Sequence, residues 1–123
     1  MRDTTDKVRH CLACAALVSL SATASELNRG QAVYNGTCIA CHGSDVTGSL
    51  PGVPDLTGKT GLLSQDDAVL LGRMADGYQS PGSPMAMPAK GGNPALTDAD
   101  LSAVLKYMRN AFQQDPQTRR NAK

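Results

Sequence analysis

The chain has 123 residues, enough for one domain and too few for a separate catalytic partner domain. Only 3% of residues are aromatic, with no Trp, one Phe and three Tyr, so the large side chains that dominate burial in a small core are nearly absent and apolar bulk must come from elsewhere. A charged fraction of 19% with a net charge of +1 argues against a disordered tail, a nucleic-acid binder and a polybasic membrane-surface protein.

Residues 1–24 have a polar start carrying Arg2, Lys7, Arg9 and His10, an apolar run from Cys11 to Leu20, and the small-residue ending Ala22-Thr23-Ala24. This three-part build is that of a secretory signal peptide cleaved before Ser25. The apolar run reaches only about half of the roughly 20 residues that a bilayer span requires. Removal of the segment takes away three basic and two acidic side chains and leaves a formally neutral chain. Export points to the bacterial periplasm, an oxidising compartment in which two neighbouring thiols need a reason to stay unpaired. The expected organisation is a signal peptide over 1–24, one domain over 25–113, and a solvated, mobile tail over 114–123 that includes Arg119, Arg120 and Lys123.

Leu27, Gly30, Val33, Tyr34 and Thr37 recur at three- and four-residue intervals and place one face of a short helix just before a cysteine turn. Glycine inside a helix costs about 1 kcal/mol relative to alanine, so Gly30 points to another backbone packing close there, the alternative being that it marks the helix start. Four cysteines form two pairs of equal spacing, Cys11/Cys14 and Cys38/Cys41. The first pair lies inside the removable apolar run. Only the second is followed by histidine, His42, and Cys-x-x-Cys-His is the attachment signature of c-type haem. One helical turn sets Cys38 and Cys41 side by side, so that each sulfur bonds one of two neighbouring vinyl groups while the next residue brings imidazole under the iron. A thioredoxin-like redox pair shares the cysteine spacing but needs a strand before it and a βαβ pattern around it, and neither is visible. Structural zinc needs four ligands, and the chain after cleavage offers two Cys and one His.

Residues from Gly43 to Leu63 read as a loop rich in Gly and Pro. A helix is expected from Ser64, with Asp67 at capping-box spacing, burying Leu70, Leu71 and Met74 and stopping near Asp76-Gly77. A second loop runs from Tyr78 to Ala95. The clearest helix follows, with Thr97 as N-cap, Asp100 as its capping-box partner, Leu96 set to staple onto Leu101, and an apolar stripe of Leu101, Val104, Leu105, Met108 and Phe112. No period-two alternation is long enough for a sheet. Loops of this length are hard to hold by packing unless they wrap something, and a buried haem supplies both the missing apolar volume and the surface to wrap.

After cleavage His42 is the sole histidine, which excludes a second imidazole from the same chain and leaves methionine sulfur as the natural sixth ligand. Met74 and Met108 sit on helical stripes, where packing accounts for them. Met85 and Met87 lie in a loop stiffened by Pro81, Pro84 and Pro88, and either thioether suits the iron. Placing the cations Lys59, Arg73, Lys90 and Lys106 around the haem edge requires a fold.

From Leu27 to Phe112 the chain resembles class I cytochrome c, with Gly30-x-x-x-Tyr34-x-x-x-Cys38-x-x-Cys41-His42-Gly43 as its opening. The resemblance implies an all-α fold of three or more helices around one covalently attached haem c, with His42 as proximal ligand and the C-terminal helix bringing Tyr107 near Gly30. Met87-Pro88 followed by Lys90-Gly91-Gly92 resembles the ligand loop of small bacterial cytochromes near cytochrome c5, in which methionine just before proline binds iron. That likeness makes Met87 the distal ligand, with Met85 as the alternative. The segment Gly52-Val53-Pro54-Asp55-Leu56 resembles the one whose proline carbonyl accepts the second N–H of the ligating imidazole, which gives Pro54 that role. The extra cysteine pair of many c5-like proteins is absent. The implied task is transfer of single electrons between redox protein partners, because two filled axial positions leave no open site for catalysis. The same features suit an electron-transfer subunit of a larger dehydrogenase or oxidase, and a labile methionine would suit a ligand-binding haem protein or peroxidase.

Overall fold

The computed structural model describes residues 23–58 and 60–113. The expected signal peptide, apart from Thr23 and Ala24, and the expected tail over 114–123 lie outside the described residues. Helix α1 covers residues 23–33. It runs directly into a π-helical turn, Tyr34–Cys38, and then into the short helix α2, Ile39–His42. The inward face has the anticipated spacing, with Gly30 and Tyr34 buried and Leu27, Val33 and Thr37 half-buried. In the π turn the Ile39 N–H donates to the Tyr34 carbonyl five residues back, and the extra residue rotates α2 relative to α1.

Helix α3, Asp67–Asp76, starts later than Ser64. Ser64 instead closes a 3₁₀ turn, Leu62–Ser64, by donating its hydroxyl to the Gly61 carbonyl at 2.6 Å. Gln65 and Asp66 are extended, so the helix can begin only after them. The misreading has a physical cause: a serine hydroxyl serves a turn carbonyl as readily as a helix N–H. The stop at Gly77 is where the sequence put it. Leu70 is buried, and Leu71 and Met74 pack against the core.

Helix α4, Asp98–Phe112, opens on the anticipated capping box. The Asp100 N–H donates to the Thr97 hydroxyl at 3.2 Å, and the Thr97 N–H donates back to the Asp100 carboxylate at 2.9 Å. Its buried stripe holds Leu101, Val104, Leu105, Met108 and Phe112, joined by Ala103. Three of the four aromatic rings meet at its C-terminal half, with Tyr34, Tyr107 and Phe112 at centroid separations of 5.6 to 5.9 Å. Among the described residues the nearest approach to sheet is one isolated antiparallel bridge, Tyr78 with Met87, and no helix is long and apolar enough to cross a membrane.

Helices α1 and α4 touch backbone to backbone. A β-carbon on Gly30 would lie 2.1 Å from the Ala103 carbonyl oxygen and 2.7 Å from Tyr107 Cβ. Two ion pairs flank the crossing, Arg29 with Asp100 at 2.7 Å and Lys106 with Glu26 at 2.6 Å.

Gly30→Ala cannot be absorbed by a side-chain rotation, because the obstruction is backbone, and it is expected to cost about 1–3 kcal/mol in denaturant unfolding of the holoprotein. Bonds from Thr97 and then from Arg29 hold the Asp100 carboxyl at about 2, below its ordinary 3.8. A depressed folded value means a contribution that is complete above about pH 4 and lost as pH falls through about 2. The stability gap between wild type and Asp100→Asn should therefore be flat at neutral pH and close in that acid window.

Candidate functional site

The turn that follows α1 carries the chemistry. Cys38 and Cys41 are half-buried, unpaired thiols, and together with His42 they line an internal cavity of about 310 Å³. The π turn and α2 supply Thr37, Cys38, Cys41 and His42 to its wall, α3 supplies Leu70 and Met74, and α4 supplies Leu101, Val104 and Met108. Burial, followed by the neighbouring Cys41, pushes the Cys38 thiol up to about 11. Redox-active dithiols have lowered values, so the thioredoxin-like reading loses its chemistry as well as its fold.

Burial lowers the His42 pKa and keeps the ring neutral, which is the form a metal ligand needs. Its Nδ1 is buried with no hydrogen-bond partner. Pro54 lines the same cavity, but its carbonyl makes no hydrogen bond to that nitrogen.

The ends of the turn are braced by contacts with no counterpart in the sequence motif. The Tyr34 hydroxyl, buried within the aromatic cluster, donates to the Gly43 carbonyl at 2.5 Å. The following loop folds back on α2, with the Ser49 N–H on the Cys41 carbonyl at 2.9 Å and the Gly48 N–H on the His42 carbonyl at 3.0 Å. Those carbonyls end a helix and would otherwise be orphaned. Val46, fully buried, sits within this loop at φ 58°, a conformation costing a β-branched residue about 1–2 kcal/mol that burial of its side chain offsets.

Met85 and Met87 both line the cavity, but they are held differently. Met87 exchanges two backbone hydrogen bonds with Tyr78, at 2.9 and 2.8 Å, whereas Met85 is 40% exposed. Gly77 makes this pairing possible: it has φ 84°, and a β-carbon there would lie 2.8 Å from the Met87 carbonyl oxygen. The Tyr78 ring is in turn covered by the Arg73 guanidinium at 4.0 Å. Of the four cations read in the sequence, Arg73 and Lys90 line the cavity, Lys106 pairs with Glu26, and Lys59 lies outside the described residues. No carboxylate lines the wall among the described residues.

These features suit a covalently held haem. Two adjacent thiols, a neutral imidazole with an unspent buried nitrogen, and thioether sulfurs share one largely apolar wall whose charges are all positive. The cytochrome c family model matches residues 27–112. The chain belongs to the cytochrome c family. It is 36% identical over 94 residues to cytochrome c-555 of Chlorobaculum tepidum, covering 76% of this chain and 84% of that one. Cytochrome c-555 of Prosthecochloris aestuarii is 34% identical over 87 residues, covering 69% and 87% respectively. Lupanine 17-hydroxylase (cytochrome c) of a Pseudomonas species is 36% identical over 87 residues, but the match spans 70% of this chain and only 11% of that one. The protein is thus a small class I c-type cytochrome and an electron carrier, with haem c covalently bound, and Cys38 and Cys41 fit the attachment motif.

The brace on the attachment turn generates a prediction. Tyr34→Phe keeps the ring packing but leaves the buried Gly43 carbonyl without its donor, at an expected cost of about 1–3 kcal/mol in unfolding of the holoprotein.

Proposed function

We propose that this cytochrome is a periplasmic carrier of single electrons and that His42 and Met87 would hold its haem iron. The observation that carries this reading is the different restraint on the two candidate sulfurs: Met87 has both backbone groups paired with Tyr78 across the loop, whereas the backbone groups of Met85 meet only the Ser83 hydroxyl two residues back and its side chain is 40% exposed. A ligand whose backbone is fixed before binding loses little conformational freedom on coordination. Haem c supplies a one-electron iron couple, and His/Met ligation raises its reduction potential. The chain's own residues anchor, orient and shield that couple. Cys38, at the end of the π turn, and Cys41, in α2, would fix the group to the chain, and the apolar wall from α3 and α4 would exclude water. The unspent His42 Nδ1 calls for an acceptor in the loaded protein, and the Pro54 carbonyl is proposed for that role. Export through the 1–24 segment places the carrier in the periplasm, among donor and acceptor proteins. No catalytic step is assigned to it.

A second reading has one observation in its favour. A stretch of lupanine 17-hydroxylase (cytochrome c) amounting to 11% of that protein matches this domain, so the same domain also occurs within a larger enzyme. Co-purification of the native protein with a larger catalytic chain would assign it to a complex, and a free monomer reduced by diffusing partners would assign it to a shuttle.

Ligation is tested on the exported holoprotein. Met87→Ala is expected to remove the weak far-red absorption of ferric sulfur ligation, to lower the potential, and to open the ferrous iron to rapid carbon monoxide binding. Met85→Ala should keep the wild-type behaviour in all three. The opposite pattern would move the ligand to Met85.

A further inference from the structure

The wall formed by Leu62, Leu63 and Gln65 has little hydrogen-bonded support of its own. Its 3₁₀ turn has short-range bonds only: Ser64 N–H to the Gly61 carbonyl at 3.0 Å, Gln65 N–H to the Leu62 carbonyl at a long 3.4 Å, and two side-chain bonds within the same turn. Leu63 is 3% exposed and Leu62 is 38% exposed, so the turn separates the cavity from water across one residue. Leu63 packs into the core, but among the described residues a single side chain ties the turn by hydrogen bonds to the rest of the fold. Arg109, in the last turn of α4, donates through Nε to the Leu63 carbonyl at 2.9 Å and through Nη2 to the Gln65 carbonyl at 2.7 Å. Its Nη1 meets the Asp67 carboxylate at the start of α3. Among the described residues every other hydrogen bond of segment 61–65 stays within four residues of it.

We infer that Arg109 is a positioning residue that holds the Leu62–Gln65 wall closed against water and so helps set the reduction potential of the carrier. A planar guanidinium presents its donors in a fixed fork, and here two of them reach carbonyls two residues apart. An ammonium has its three donors on one nitrogen at the end of a flexible stem and does not reproduce the spacing of that fork. Water entering beside the iron favours the oxidised form, which carries one more positive charge, so a loosened wall lowers the potential. Asp67 is the lesser partner. Its side chain is 64% exposed, and the tie to the carbonyls persists without its charge. The inference rests on the electron-carrier reading but holds whichever methionine binds the iron.

The test is potentiometric titration of holoprotein variants, with the rate of imidazole binding to the ferric form measured alongside, at a temperature where each variant is folded by circular dichroism. Arg109→Gln is expected to lower the reduced-to-oxidised ratio at a fixed applied potential by about tenfold, the low end of what outer-shell substitutions cost, and to speed imidazole entry. Arg109→Lys keeps the charge and loses the fork, so it should shift both readouts in the same direction. Asp67→Asn keeps the fork and should match wild type in both. Wild-type potential and imidazole rate in Arg109→Lys would overturn the inference, since any fall in Arg109→Gln would then be a charge effect. A full effect in Asp67→Asn would overturn it equally. If Arg109→Gln does not fold, the lysine and Asp67→Asn variants decide between the same outcomes. A wild type with no reversible one-electron couple would instead refute the carrier reading, and this inference with it.

Discussion

The approach of α1 to α4 at Gly30 fixes where everything else in this fold can go. With no side chain at that point, the two helix backbones come within a distance that a single β-carbon would block, at 2.1 Å from the Ala103 carbonyl oxygen. The crossing sets the direction of α1, and the π turn then sets the rotation of α2 about it, so Cys38, Cys41 and His42 face the cavity rather than solvent. The same contact brings Tyr34 against Tyr107 and Phe112, spending three of the four aromatic rings beside the attachment turn. A chain this poor in aromatic side chains cannot also fill its centre with them. Its buried residues form a shell around the cavity, and the bulk that completes the core is the haem.

Around that shell the loops are held chiefly by backbone bonds. The 43–56 segment closes on itself through Leu56 N–H to the Val46 carbonyl, and it caps α2 through Gly48 and Ser49. The 77–88 segment is pinned by the Tyr78–Met87 pair. Such bonds fix position without requiring a particular side chain, which is how long loops rich in Gly and Pro remain ordered beside a cavity. Side-chain identity matters where the loops must present a donor, as at the two methionines.

What was legible in the sequence was local. The attachment signature at 38–42, the capping box at Thr97 and Asp100, the α4 stripe and the stop at Gly77 are all patterns closed within a few residues, and each stands in the fold as read. Gly30 was legible as a close approach because an interior glycine is costly, and Tyr107 as its neighbour through the family likeness. Ser64 failed because its hydroxyl can satisfy two different local structures, and the sequence does not say which carbonyl is near. The π turn was invisible because Leu27, Gly30, Tyr34 and Thr37 keep a helical spacing whether or not one extra residue enters the turn. The Tyr34–Gly43 bond and the Arg109 fork had no local signal at all. In the last turn of α4 an arginine reads only as a complement to the helix dipole, and its three acceptors lie 42 to 46 residues away.

The long-range polar contacts therefore divide by what they restrain. Arg29 with Asp100 and Lys106 with Glu26 span a crossing that backbone contact already dictates, and both cations are about half exposed, so these pairs add little beyond register. Asn93 reaching Thr37 at 3.4 Å is at the limit of a hydrogen bond and adds little. Tyr34 and Arg109 differ because each satisfies backbone carbonyls that no other donor reaches among the described residues, one at the end of the attachment turn and the other in the Leu62–Gln65 wall. A hydrogen bond gives most where its absence would orphan a shielded acceptor, and least where packing would keep the geometry anyway. By that measure the polar contacts that matter most are the Tyr34 bond at the end of the attachment turn and the Arg109 fork on the Leu62–Gln65 wall, and the ion pairs on the α1–α4 surface are trim.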